Sequence, residues 1–224
     1  MIPIGRARTS ICLIVAFVAV VATGCSDDSA AVPAGMLVET ASRGDVAGVR
    51  RLLDRGADPN ERDGSGRTAV TAAVYAGSAE AVRLLVAAGA DVDLQDDNRA
   101  NAFLALGETG DVAVLEEVLR AHPDVALTNR FGGTALIPAA DRGHVEMVRA
   151  LLDRTDVDVD HVNGLGWTAL LEAVILGDGG RAHQEIVELL VDAGADRSIA
   201  DGAGVTALEH ARTSGYTEMV SILE

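Results

Sequence analysis

The chain has 224 residues, of which 49% are hydrophobic and only 3% aromatic, and every basic side chain is an arginine. Eighteen arginines stand against 34 acidic residues, so the formal charge at pH 7 is −16. A surface of this charge repels nucleic acid and anionic lipid head groups, which argues against both as ligands. The whole sequence has two cysteines, Cys12 and Cys25.

Residues 1–24 have the pattern of a targeting segment. Two arginines precede an apolar run from Ile11 to Val21, which is short for a membrane span and typical of a secretory signal peptide. Small residues follow and lead directly into Cys25, an arrangement that resembles a bacterial lipobox. The resemblance implies cleavage before Cys25, lipid attachment to that residue, and an exported protein on the outer face of the cell membrane or the periplasmic side of an envelope membrane. The alternatives are an ordinary signal peptide cleaved nearby and an uncleaved anchor.

Removal of that segment would leave Cys25 as the only cysteine, so no disulfide could form within the mature chain. Residues 25–33 would then be the lipidated cysteine and a polar tether that reaches at most about 30 Å. We expect the folded domain, residues 34–224, to lie close to the bilayer and to be held there by the lipid anchor only.

A unit of about 33 residues recurs along this domain. Its reference position holds Thr68, Asn101, Thr134, Thr168 and Thr206, at steps of 33, 33, 34 and 38 residues. In each unit a turn precedes a short apolar segment, and a second segment follows with apolar residues at helical spacing. Gly-Ala-Asp ends several of the units. The pattern resembles the ankyrin repeat family, which implies an all-α ankyrin-repeat solenoid of about six helix–turn–helix units joined by β-hairpin-like turns.

The expected units differ from one another. The first lacks the Thr-Ala-Leu opening, as expected of an end cap, and the third, with Asn101 in place of threonine, is expected to be locally weaker. The fourth carries Pro138 near the start of its first helix, where we expect a slight kink. The fifth has an insertion at residues 178–182 that resembles a loop of a subgroup of bacterial exported ankyrin-repeat lipoproteins. The expected unit boundaries are 34–62, 63–95, 96–128, 129–162, 163–200 and 201–224.

No motif indicates catalysis, and we expect neither an enzyme nor a cofactor. Matches to G-x-G-x-x-A begin at Gly64, Gly164 and Gly202, but they recur at the repeat period before short helices and are read as turns. The acidic triplet within residues 156–160 lacks the glycine and the terminal glutamate of a calcium loop. The histidines that begin second helices are expected to make local hydrogen bonds, and no metal site is expected.

A partner-binding surface is implied by the resemblance. In the ankyrin family a partner usually lies along the concave side, which is made of the hairpin tips and the inner face of the first helices. Carried over by repeat position, this surface has large apolar side chains in units four and five, and aromatic anchors framed by charge are typical of interface hot spots. The candidate residues are Trp167, Leu165, Phe131, Arg130, Ile175, Leu176, Tyr75, Arg67, Asp141 and Arg142. Alternatively, Trp167 and Ile175 pack against the inserted loop and hold it.

Two functions remain open from the sequence. The first is a monomeric, non-catalytic protein–protein interaction module that is tethered by lipid to the outside of a bacterial membrane and binds another exported or membrane-associated protein. The second is an exported solenoid that binds a small ligand or a metal at the unit-five insertion. An open curved face would favour the first, and a closed pocket with convergent polar groups would favour the second.

Overall fold

The computed structural model describes residues 33–224, which form twelve α-helices and no β-strand longer than an isolated bridge. No helix in this range is long and apolar enough to cross a membrane. The expected signal peptide, Cys25 and all but the last residue of the tether lie outside the described residues. The helices are α1 (Met36–Ser42), α2 (Val46–Asp54), α3 (Ala69–Tyr75), α4 (Ala79–Ala87), α5 (Ala102–Thr109), α6 (Val112–Leu119), α7 (Leu136–Asp141), α8 (Val145–Arg154), α9 (Ala169–Ile175), α10 (Arg181–Asp192), α11 (Ala207–Ser214) and α12 (Thr217–Leu223).

The helices pair into six two-helix units that stack in a row. The odd-numbered first helices contact one another in order from α1 to α11, and the even-numbered second helices do so from α2 to α12. Neighbouring units therefore bury one continuous core between them, as in other linear repeat architectures. The expected all-α solenoid of about six repeats is confirmed.

The reference position begins the first helix of a unit. The Thr168 hydroxyl accepts a hydrogen bond from the Leu171 backbone N–H at 3.2 Å, and the equivalent side chains of units two, three and six form the same kind of cap. In unit four α7 begins later, and the buried hydroxyl of Thr134 has no hydrogen-bond partner. Pro138 is the third residue of α7, where proline is tolerated because that N–H has no acceptor within the helix. The kink expected there stays a prediction.

An apolar stripe along the second helices forms much of the core. Leu85, Val118, Leu151 and Leu190 take the same place in α4, α6, α8 and α10, and each is completely enclosed. Truncating such a leucine to alanine costs about 2–5 kcal/mol, because it leaves a cavity that the neighbouring units can fill only in part. The stripe thus ties each unit to the next.

An asparagine or aspartate fixes each turn between units. In unit five Asn163 Oδ1 accepts hydrogen bonds from the backbone N–H groups of Leu165 and Trp167, at 2.9 and 3.1 Å. Adjacent turns are also joined through the backbone, since the Gly164 N–H donates to the Phe131 carbonyl at 2.7 Å. The equivalent side chains Asp63, Asp96, Asn129 and Asp201 make the same pair of bonds in their own turns. The tip residues of successive hairpins are therefore held in a row along one side of the stack.

The unit-five insertion is divided between a loop and a helix. Because α10 begins at Arg181 and has 12 residues, the last two residues of the insertion lengthen this helix at its start. The remainder, residues 178–180, belongs to a loop that spans residues 176–180. This loop reaches the last unit, where the Tyr216 hydroxyl donates to the Gly177 carbonyl at 3.2 Å.

Candidate functional site

A groove of about 280 Å³ lies on the inner face, by which we mean the side formed by the hairpin tips and the first helices. Its walls come from the tips of units four and five and from helices α5, α7 and α9. The groove therefore spans three units, and its shape depends on how those units stack.

Three large apolar side chains on the rim of the groove face solvent. Phe131, Leu165 and Leu176 are 56%, 60% and 51% exposed, and they are the three most exposed large hydrophobic side chains within residues 33–224. Single exposed apolar residues are common on soluble proteins, whereas a group of them around one groove marks an interaction site.

A buried carboxylate lines the same groove. Glu172 on α9 is only 7% exposed, and its Oε1 accepts a hydrogen bond from Asn163 Nδ2 at 2.7 Å. Burial, and to a lesser extent the neighbouring Asp141 carboxylate, raises the pKa of Glu172 from 4.5 to about 7, while the Asn163 hydrogen bond acts in the opposite direction. A carboxyl group that is costly to ionise and lies in a groove is typical of a functional site.

Asn163 connects this carboxylate to the rim. Its Oδ1 holds the turn that carries Leu165, and its Nδ2 donates to Glu172. In unit six the same two positions hold Asp201 and His210, whose Oδ2 and Nε2 lie 2.8 Å apart. The exposed tip and the interior of the groove are thus parts of one hydrogen-bonded arrangement.

A smaller groove of about 230 Å³ adjoins the first and shares Glu108, Asn129 and Phe131 with it. The Arg130 guanidinium lies 4.7 Å from the centroid of the Phe131 ring, a contact worth about 0.5–1 kcal/mol at an exposed site. The Tyr75 hydroxyl donates to Glu108 Oε2 at 3.2 Å, and burial together with the Glu108 carboxylate raises the pKa of Tyr75. Tyr75 is therefore a neutral hydrogen-bond donor at physiological pH.

The structure brings most of the candidate residues predicted from the sequence into these two grooves. Trp167 and Ile175 line neither of them; both are half-buried and pack against the core. Arg67 also lies apart, in an ion pair of 3.2 Å with Asp63 inside the unit-two hairpin. The candidates on the larger groove are Phe131, Leu165, Leu176, Asp141 and Arg142, and those on the smaller are Tyr75, Arg130 and again Phe131. The role of Trp167 as a partner anchor stays a prediction, and a smaller fraction of its side chain is exposed than of Leu165.

The polar groups of the unit-five insertion fasten it to its neighbours. Asp178 Oδ1 lies 3.0 Å from His183 Nδ1, and His183 Nε2 is hydrogen-bonded to the Asp141 carbonyl oxygen at 2.9 Å. Local hydrogen bonding by this histidine was expected, but the bond reaches back to the preceding unit. On the other side Tyr216 holds the loop from unit six. Within residues 33–224 no group of three or more His, Cys, Asp or Glu side chains is arranged to hold a metal ion.

A separate hollow of about 530 Å³ lies between α10 and α12 on the outer face, by which we mean the side formed by the second helices. Charged side chains line most of it, including Arg149 and Glu185, which form an ion pair at 2.6 Å. Exposed ion pairs are worth about 0–1 kcal/mol and are typical of solvated surface. This hollow has no exposed apolar rim, so we place the candidate site on the inner face.

Sequence reasoning missed Glu172, Asn163 and Tyr216. A comparison of the repeats in register contains the signal for the first, because Glu172 stands where units two and three have Ala72 and Ala105. A carboxylate at a position that holds a buried alanine in two other units indicates a special role. The contact of Tyr216 with the insertion had no such signal, since it depends on the conformation of an irregular loop.

Comparison with known proteins supports the repeat assignment. Family models described as ankyrin repeats match residues 102–201 (3 copies) and residues 37–86 (many copies). The putative ankyrin repeat protein YahD of Escherichia coli (strain K12) is 44% identical over 86 residues, which is 38% of this chain. The match spans 43% of the length of that relative.

Solved structures match over a larger part of the chain. An ankyrin repeat domain from Acinetobacter baumannii AYE is 44% identical with a TM-score of 0.79, and the match covers 84% of this chain and 96% of that one. The ankyrin repeat protein EF0377 is 39% identical with a TM-score of 0.81, over 86% and 98% of the two chains. The ankyrin repeat domain of Bcl-3, a member of the IkappaB protein family, is 27% identical with a TM-score of 0.74 over 84% of each chain.

Ankyrin repeat domains mediate protein–protein interaction and are typically non-catalytic. The recurring capped helices, the stacked two-helix units and these matches agree in one assignment. The chain belongs to the ankyrin repeat family.

Proposed function

We propose that this protein is a lipid-anchored, exported interaction module that holds a partner protein in the larger groove of its inner face. The observation that supports this most strongly is the exposure of Phe131, Leu165 and Leu176 around one groove. Large apolar side chains rimmed by charge are what interface hot spots look like before a partner covers them. The partner is another exported or membrane-associated protein.

The rim supplies a modest but useful part of the binding energy. Complete burial of an exposed leucine or phenylalanine is worth about 1.5–3 kcal/mol, and each of the three rim residues is about half exposed. Each should therefore contribute about 1 kcal/mol when covered, which corresponds to a five- to tenfold change in affinity. A Leu165→Ser variant should weaken partner binding by that factor while leaving the fold intact, because Leu165 is 60% exposed.

The groove can be tested by site-specific cross-linking in intact cells. A photoreactive amino acid placed at Leu165 should trap a partner that mass spectrometry can identify. The same amino acid at Ala113, an exposed residue of α6 on the outer face, is the matched control. Identical cross-linked species at both positions would show that the groove has no special role.

The proposed location depends on the segment that ends at Cys25, which resembles a lipobox. Several acyl chains hold a protein firmly on a membrane, whereas one chain binds only marginally. Cells fed an alkyne-tagged fatty acid should label the wild-type protein, and Cys25→Ser should abolish the label and release the domain from the membrane fraction. Labelling that survives this substitution would contradict the proposed anchor.

A further inference from the structure

We infer that the partner inserts a basic side chain, arginine or lysine, into the larger groove, where it pairs with Glu172 and Asp141 while an apolar neighbour covers the rim. This inference rests on the proposed use of the groove as a binding surface and adds the chemistry of its occupant. It commits to a segment of a protein chain and not to a free cation.

The charges around the groove are unbalanced. Three acidic residues line it, Glu108, Asp141 and Glu172, against one basic residue, Arg142. Within residues 33–224 the Asp141 side chain forms no ion pair, and its carboxylate lies close enough to Glu172 to help raise the pKa of that like-charged group. A cation between these two carboxylates would remove a repulsion and at the same time gain two attractive contacts.

Glu172 is placed to receive that cation. Glu172 is 7% exposed as a residue, its Oε1 is held by Asn163, and its Oε2 has no hydrogen-bond partner within the described residues. Glu172 Oε2 is not enclosed and faces the open groove, but the carboxylate as a whole is partly shielded from water and has no counter-charge, so its ionised form is unfavourable until a partner supplies one. The groove is the side from which that partner can approach.

A purely structural role does not require this charge. Holding Asn163 needs only an acceptor oxygen, and glutamine at position 172 would provide one without the cost of burying a charge. In unit six the position equivalent to Glu172 holds His210, and its Nε2 is hydrogen-bonded within the unit to Asp201 Oδ2 at 2.8 Å. Unit five instead keeps a carboxylate with one oxygen left over, and this difference points to a partner from outside.

The test is a selection of peptides on the purified full chain in detergent micelles. A displayed library of random peptides should yield sequences with an arginine or lysine next to an apolar residue. The best peptide, synthesised with citrulline or norleucine in place of its basic residue, should bind at least tenfold more weakly. Binding can be followed through Trp167, the one tryptophan in the sequence, which lies in unit five.

Two variants separate a specific contact from general attraction to an acidic protein. Glu172→Gln should weaken binding of the selected peptide at least tenfold. This loss of affinity cannot come from misfolding if the Tm of the variant is no lower than that of the wild type. Glu188→Gln removes one carboxylate from the exposed side of α10, outside the groove, and should leave affinity unchanged. Equal affinity for the wild type and Glu172→Gln would overturn the inference.

The remaining outcomes distinguish the inference from the proposed function. The selection could instead yield apolar peptides that have no basic residue and do not bind Leu165→Ser. That result would overturn the inference and support the groove as a protein-binding surface. Peptides insensitive to both Glu172→Gln and Leu165→Ser would overturn both. Binding of free arginine amide or spermidine as tight as that of the peptide would show a small-cation site and also overturn the inference.

Discussion

Glu172→Gln should stabilise the domain at pH 8 and have little effect at pH 5. Burial raises the pKa of Glu172 from 4.5 to about 7, so the folded chain holds this proton more tightly than the unfolded chain does. The stability contributed by the protonated carboxyl is fully present below pH 4.5 and is lost as the pH rises through about 7. Glutamine is neutral at every pH and can still accept the hydrogen bond from Asn163.

The size of the effect follows from the shift. One pKa unit corresponds to about 1.4 kcal/mol, so a rise from 4.5 to about 7 sets an upper limit of about 3.5 kcal/mol. The carboxyl group lines an open groove, and water there reduces the penalty, so we expect about 1–2 kcal/mol. For a domain of this length that is a rise of about 2–8 °C in Tm at pH 8.

The assay is thermal and urea unfolding of both proteins at several pH values between 5 and 8. Far-UV circular dichroism reports on the whole stack, and Trp167 fluorescence reports on unit five, so partial unfolding of the repeat array would be seen as two different midpoints. The control Glu188→Gln removes an exposed carboxylate and should give the same difference from the wild type at every pH. A gain for Glu172→Gln that is equal at pH 5 and pH 8, or a loss at pH 8, would refute the reasoning.

Other predictions concern single contacts of the fold. Thr168→Val removes a helix cap and should lower the free energy of unfolding in urea by about 1 kcal/mol. Thr134→Val removes a buried hydroxyl that has no hydrogen-bond partner, so it should be neutral or stabilising. A larger loss of stability in Thr134→Val than in Thr168→Val would contradict the hydrogen-bond assignment. Glu61→Ala removes a carboxylate that accepts a hydrogen bond from the Leu37 backbone N–H, in the first turn of α1, at 2.6 Å. Amide hydrogen exchange should therefore accelerate in α1 and stay unchanged in α9. Unchanged exchange in α1 would exclude this cap. Gly179→Ala would put a methyl group into the ring of Tyr216, which holds the inserted loop. This variant should have a lower Tm and faster amide hydrogen exchange in α12. Gly215→Ala has a similar positive φ but open space around it and should cost only the backbone strain, so equal losses in both variants would mean that the ring contact contributes nothing.

The fold was predictable because the interactions that specify it are local and recur. The reference residue caps the helix of its own unit, and the asparagine or aspartate five residues earlier holds the turn of the same unit. Each signal is weak alone, but the repetition of one register along the chain leaves little ambiguity. What differs between units was harder to foresee, as in α7, where the threonine is present but does not cap.

The rim of the groove was predictable for the same reason, and its interior was not. Phe131 and Leu165 occupy the tip of a hairpin whose direction is fixed by the repeat, so a large apolar residue there must face solvent. The sequence also predicts Trp167 as part of this surface, but Trp167 directly precedes Thr168, which caps α9, and it is half-buried. Arg67 at the equivalent position of unit two is half-buried as well. The groove also depends on the relative placement of three units, and spacing within one unit carries no information about that.

The residues that join the hairpin of unit five to its first helix show why the carboxylate can be kept there at all. An aspartate at position 163 would hold the turn equally well, as Asp201 does in unit six, but it would set a second carboxylate against Glu172 and repel it. Asparagine holds the turn with its oxygen and offers its amide N–H group to the glutamate. This choice positions Glu172 and leaves it able to ionise, so a basic side chain that enters the groove would favour its charged form. Glu172 is therefore a titratable carboxyl placed where its ionisation is costly, and the proposed pairing with a basic side chain of the partner would offset that cost.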